Sequence, residues 1–191
     1  SDRYTYNGEE QRDVIKATYT DVKDSEVRLA TDAGEFKDYR DGGYLITASL
    51  KTALEQNNYE LTNSTRTYYI DRASVIVTIN NDTATYGDGL PEFGANVTLC
   101  ESETLDGIGF FNTYSFGTLY AQGSGVGSYD IYFTVGGERT ERTINFGNYT
   151  FTVNEGTLTV GKRTVILETD VTDGNSFEFN NTARKVTVTG V

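Results

Sequence analysis

The chain has 191 residues, a net charge of −12, no histidine and a single cysteine. Such acidity argues against a binder of nucleic-acid phosphates, which needs clustered Lys and Arg. The missing histidine excludes Ser-His-Asp and Cys-His catalysis, and one cysteine excludes an internal disulfide. Abundant Tyr, Phe, Thr and Val with almost no Pro favours strands over helices. No run approaches the roughly 18 apolar residues that would span a bilayer. Neither a signal peptide nor a wall-sorting tail is visible, so the chain is expected to be a segment excised from a longer protein.

In chain order, Tyr6-Asn7-Gly8 is a turn signal, with Gly8 able to take positive φ. Alternation from Val14 to Thr20 predicts a strand. Residues 21–42 are charged and irregular, with a short strand expected at Val27 and Leu29. Gly42-Gly43 breaks the chain before YLITASL, Tyr44 to Leu50, resumes the strand pattern. KTALEQNN reads as a loop with at most one helical turn.

Tyr59 then opens a closing hairpin, Ile70 to Ser74 forms a hand-over, and VIVTI (Val75 to Ile79) starts a second unit. ATYGDGLPEF, Ala84 to Phe93, carries a turn at Tyr86-Gly87 comparable to Tyr6-Asn7-Gly8. Further strands are predicted at Asn96 to Cys100, Ser115 to Tyr120 and Tyr129 to Val135. In NYTFTVNEGTLTVGKRTV, Asn148 to Val165, Tyr149, Phe151 and Val153 share one face, followed by Leu158, Val160 and Val165. Asn154-Glu155-Gly156 reads as the turn between the two runs.

This stretch has an earlier copy in NYELTNSTRTYYIDRASV, Asn58 to Val75, and the hand-over recurs as KRTVILET after Gly161. SFEFNNTARKVTVTGV near the end resembles the N-terminal segment, with Phe179-Asn180-Asn181 where Tyr6-Asn7-Gly8 stood. The period is about 90 residues, which is domain-sized and too long for a solenoid. The expected organisation is a first unit at 1–70 lacking its first strand, a complete unit at 71–161, and the first two strands of a third at 162–191. The joints are short and free of Pro and Gly/Ser runs, so limited bending is expected. The predicted fold is all-β, as tandem immunoglobulin-like antiparallel sandwiches, with a β-grasp arrangement as the alternative. A lone two-strand tail is marginal in water, so residues 163–191 are expected to fold back on the second unit or to complete the first unit of a neighbouring molecule.

ATYGDGLPEF, VGSYDI, NYTFTVNEGTLTV and KRTV together resemble the MBG domains of bacterial surface proteins, in particular the type marked by a Tyr-Gly turn. TYNGEEQ, GGYLITA, NYELTNSTRTYYI and DRASVIVTI resemble a sister type. The charged loop from Asp21 to Asp41 departs from the pattern. The resemblance implies extracellular arrays in adhesins and in wall-anchored or secreted proteins, and no catalytic residues. It implies a stalk or spacer, or else an adhesin module binding a host or cell-wall glycan or protein. A third expectation is an accessory domain of a secreted polysaccharide-active enzyme. The implied partners are neighbouring repeats and such a glycan or protein, with no nucleic acid and no membrane insertion of this segment.

Few residues suggest chemistry. Acidic pairs such as Glu9-Glu10 and Glu101/Glu103 could serve glycoside hydrolysis, but such pairs are commoner on solvated loops. GTLTVGKR has the spacing of a phosphate-binding loop, yet Arg163 replaces the needed Ser or Thr and the intervening residues alternate as a strand. Cys100, in NVTLC, is expected to behave as a small hydrophobe. No cofactor is expected. The weak metal candidates are Asp170, Asp173 and Asn175, with Asp82 and Asp88 on turns nearer the middle, and calcium is the ion that such oxygen donors would take. Phe110 and Phe111 are the candidate ligand-binding residues. Neighbouring aromatics on a loop serve recognition when exposed, although the plainer expectation is a loop folded back on its own domain.

Overall fold

In the computed structural model, which describes residues 2–12, 26–121, 123–169 and 188–190, alternating residues form short strands parted by glycine turns. The first region comprises β1 (Arg3–Thr5), β2 (Val27–Thr31), β3 (Tyr44–Leu50), a helical turn α1 (Ala53–Asn58) and β4 (Thr65–Asp71). They make one four-stranded sheet in the order β1-β4-β3-β2. β1 runs parallel to β4, whereas β4–β3 and β3–β2 are antiparallel. Gly43 takes a φ of 74° ahead of β3, and a Cβ there would lie 2.5 Å from the Tyr68 carbonyl oxygen, so only glycine lets β3 start this close to β4. The strand expected from Val14 to Thr20 lies outside the described residues.

The charged loop before β3 supplies the core of this sheet. Phe36 is completely buried and meets the Tyr44 ring edge-on at 4.9 Å, with Tyr4 and Tyr68 beside it. The Glu10 carboxylate accepts the Phe36 N–H at 2.9 and 3.0 Å, and the Gln11 N–H donates to the Phe36 carbonyl at 2.8 Å. Glu10 is therefore a backbone anchor that holds Phe36 in place.

The second region builds two sheets. Its strands are β5 (Ala73–Ile79), β6 (Asp82–Thr85), β7 (Ala95–Asn96), β8 (Tyr114–Thr118), β9 (Gly127–Val135), β10 (Glu138–Arg139), β11 (Thr143–Phe146), β12 (Tyr149–Asn154) and β13 (Gly156–Gly161). One sheet has the order β11-β12-β5-β7 and the other β10-β9-β13-β6, with β8 also on β9. Their inner faces meet over Val77, Phe110, Ile131, Phe133, Phe151 and Leu158, all at 0 % exposure.

Asn154-Glu155-Gly156 does not join a hairpin. β12 pairs in parallel with β5, and β13 pairs in parallel with β6, in different sheets. The two strand pairs thus cross together from one sheet to the other. Burial shifts by one residue at the crossing, from Tyr149, Phe151 and Val153 to Gly156, Leu158 and Val160. That shift keeps the inward side facing the core after the chain changes sheets. Here the backbones nearly touch: a Cβ on Gly156 would sit 2.4 Å from the Asn80 carbonyl oxygen. Val165, expected on the same inward face, is instead 54 % exposed.

The all-β, sandwich-like expectation holds, with mixed sheets in place of wholly antiparallel ones. Order and direction in β1-β4-β3-β2 repeat in β6-β13-β9-β8. Thr5 pairs with Asp71 as Thr85 pairs with Gly161. The next N–H continues each match, from Tyr6 to the Asp71 carbonyl at 2.9 Å and from Tyr86 to the Gly161 carbonyl at 2.8 Å. Tyr59, matched in sequence to Tyr149, does not share its setting: it is 48 % exposed and lies outside any strand, while Tyr149 is 1 % exposed. In the C-terminal segment, β14 (Leu167–Thr169) pairs antiparallel with β15 (Val188–Gly190), and among the described residues neither joins a sheet of the second region.

Candidate functional site

A polar constellation lies between the two regions, where the turn after β1 meets the loop after β7. Tyr6 is 3 % exposed, and its ring stands edge-on to Tyr149 at 5.5 Å. The Tyr6 hydroxyl donates to Glu103 Oε1 at 2.8 Å, and the Tyr149 hydroxyl donates to Glu103 Oε2. One carboxylate thus accepts from a phenol of each region. The Cys100 N–H donates to the Tyr149 oxygen at 2.9 Å, while the Cys100 thiol points at the Tyr6 carbonyl at 3.7 Å. Burial first, then the bond to Glu103, pushes the Tyr6 hydroxyl up to about 12. The same causes push Tyr149 further upward. Both phenols therefore stay protonated at neutral pH and remain donors.

A second clamp uses Asn148, the residue before β12. Its Oδ1 accepts the Tyr39 N–H at 2.8 Å, its Nδ2 donates to Asp38 Oδ1 at 2.8 Å, and its carbonyl accepts the Ala73 N–H at 2.9 Å. Arg72, in the connection itself, lies over the Tyr39 ring at 3.5 Å and donates to the Gly147 carbonyl at 3.0 Å. Two adjoining clamps beside a short connection oppose bending more firmly than a short connection alone.

Beside this cluster runs an open groove of about 440 Å³, with Phe93, Phe111 and Phe116 as its aromatic lining and Glu103, Thr104 and Asp106 among its polar groups. Phe111 is 39 % exposed. Phe110 is not a surface aromatic. It is wholly buried, stacked on Tyr114 at 4.5 Å and edge-on to Phe133 and Phe151, so its loop is folded back into the core. Phe93 and Phe116 escape a sequence reading, because residues distant along the chain meet only after β8 is placed. Glu103 was legible as half of an acidic pair, but its two phenol donors were not.

The metal candidates Asp170, Asp173 and Asn175 lie outside the described residues. Asp82 accepts the Thr83 N–H at 2.7 Å, and Asp88 pairs with Arg163. Among the described residues, no group of three or more His, Cys, Asp or Glu side chains is placed to hold a metal ion. GTLTVGKR is strand β13 and its continuation, with Leu158 and Val160 buried, so the phosphate-loop spacing is a coincidence of strand alternation.

The Tyr86-Gly87 turn closes β6, and the chain passes between the two sheets from β5 to β6 and from β12 to β13. Residues 75–159 match the family model of the MBG domain (YGX type). The MBG match runs from β5 into β13 and so takes in both sheets of the second region. No curated protein and no solved structure matches the chain. An MBG domain suggests a repeat module of a bacterial surface protein, and the family is not known for catalysis. Among the described residues, no helix is long and apolar enough to cross a membrane.

Proposed function

We propose that this chain is a non-catalytic, extracellular stalk segment of a bacterial adhesin or secreted protein, in which repeat units are docked rigidly onto one another. Its units are 1–70, 71–161 and the beginning of a third at 162–191. The observation that carries this reading is Glu103, which takes a hydrogen bond from Tyr6 of one region and from Tyr149 of the other. A spacer must transmit position and load, and a shared, half-buried carboxylate couples the units better than a plain linker. The test is a distance distribution between spin labels at Leu45 and Ser128, in a Cys100→Ser background. A narrow distribution that broadens on Glu103→Ala is expected. A distribution already broad before that change removes the rigid-stalk reading.

A second reading is favoured by the groove at Phe111. Three phenylalanines beside acidic and hydroxyl groups suit the apolar face of a sugar ring or of a peptide side chain. Host and cell-wall glycan arrays probed with the chain and with Phe111→Ala decide it. Binding lost in the variant supports an adhesin module, and no binding in either leaves the spacer role alone.

A further inference from the structure

The first joint buries Tyr6, and its structural counterpart Tyr86 stands ready for the same use. Both residues follow a short strand that runs parallel to the last strand of its region, and both donate the same backbone bond across to that strand's end. Their surroundings differ. Tyr6 is 3 % exposed against the second region, while Tyr86 is 43 % exposed. Arg163, the counterpart of Arg72 in the aligned hand-overs, folds back to donate to the Tyr86 carbonyl at 2.9 Å and pairs with Asp88. On the segments either side of that contact, Leu90, Val165 and Ile166 are 54, 54 and 68 % exposed. Apolar groups left open beside a turn whose twin is buried mark an interaction surface.

We infer that the Tyr86 turn is the docking surface for a further repeat of the same kind, which would cover it with its own equivalents of Glu103, Tyr149 and Asn148. The occupant follows from continuity with the first joint. The strand frame presenting Tyr6 is the frame presenting Tyr86, so the receiving surface must offer what the second region offers to the first: a carboxylate already bonded to one phenol of its own, and an asparagine clamp. The incoming phenol again donates to a carboxylate, with no covalent step. This inference rests on the repeat-module reading above and deepens it by naming the partner of the Tyr86 turn.

Tyrosine nitration mapped by mass spectrometry tests it. In the chain itself, Tyr86 reacts while Tyr6 and Tyr149 are protected. A second copy of residues 72–161 is then joined directly after Gly161. Nitration of Tyr86 is expected to slow by about tenfold or more, as for a group reached only through local opening, and Glu103→Ala in the added copy alone restores it. Unchanged reactivity of Tyr86 in the extended chain overturns the inference. So does an added copy that stays sensitive to limited proteolysis, since the preceding region then gives its joint no support. Nitration of Tyr6 in the unextended chain is a separate result: it removes the rigid joint on which the stalk reading stands.

Discussion

Tyr149 donates its hydroxyl to Glu103 while accepting the Cys100 N–H at 2.9 Å, so one phenol ties strand β12 to the loop that receives the first region. Hydrogen bonds to a charged acceptor contribute about 1.5–3 kcal/mol each when partly buried. Glu103→Ala is therefore expected to lower unfolding stability by about 2–4 kcal/mol. Tyr6→Phe alone should cost about 1–2 kcal/mol, and the double variant should lose less than the sum. Urea denaturation of the four proteins measures the coupling, and strict additivity would separate the Tyr6 bond from Glu103.

Alkaline pH should weaken the same joint. The Tyr6 hydroxyl is raised from 10.0 to about 12 in the fold, by burial and then by Glu103. Its neutral form is favoured by folding, so this contribution is complete below about pH 10 and is lost as pH rises towards about 12. Tyr149 moves in the same direction. Denaturation midpoints from about pH 8 to about pH 11 should fall at the top of the range, and less steeply in Tyr6→Phe. A flat profile, or an equal fall in the variant, contradicts the shared-carboxylate geometry.

Phe110 and Phe111 should separate cleanly although they are adjacent. Phe110→Ala removes a ring at 0 % exposure from the aromatic core and is expected to cost about 3–5 kcal/mol. Phe111→Ala removes a ring 39 % exposed at the groove and should cost about 1 kcal/mol or less. Thermal melts of both variants check this, and equal losses would mean that Phe111 is as deeply packed as Phe110.

The sheet crossing makes its own prediction. Gly156→Ala forces a methyl to within 2.4 Å of the Asn80 carbonyl oxygen, where the obstruction is backbone. A loss of about 1–3 kcal/mol is expected. Gly34→Ala meets nothing within 4 Å and should be neutral or slightly stabilising. Melting points of the two variants compare them directly, and a harmless Gly156→Ala would show that the crossing is looser than drawn.

How much of this was legible follows from the range of each signal. Alternation at Tyr149, Phe151 and Val153 exposed the buried face of β12, since strand period is local. The same alternation could not show that Glu155 carries the chain between sheets, because a one-residue shift of the inward face resembles a turn. Phe36 was missed for a different reason: a single aromatic in a charged, irregular loop has no period, and its burial depends on Glu10 and Gln11 holding its backbone. Tyr59 shows the converse. Its sequence match to Tyr149 was sound, yet no strand forms at Tyr59, so the ring stays outside. The joint itself needed three dimensions, because Tyr6, Glu103 and Tyr149 are far apart along the chain.

The most direct measurement is of residual dipolar couplings from backbone amides on both sides of Arg72. If Glu103 and Asn148 lock the regions together, one alignment tensor fits residues 26–71 and 73–161, and Glu103→Ala with Asn148→Ala splits it into two. Two tensors of different magnitude in the unaltered chain would contradict the rigid joint.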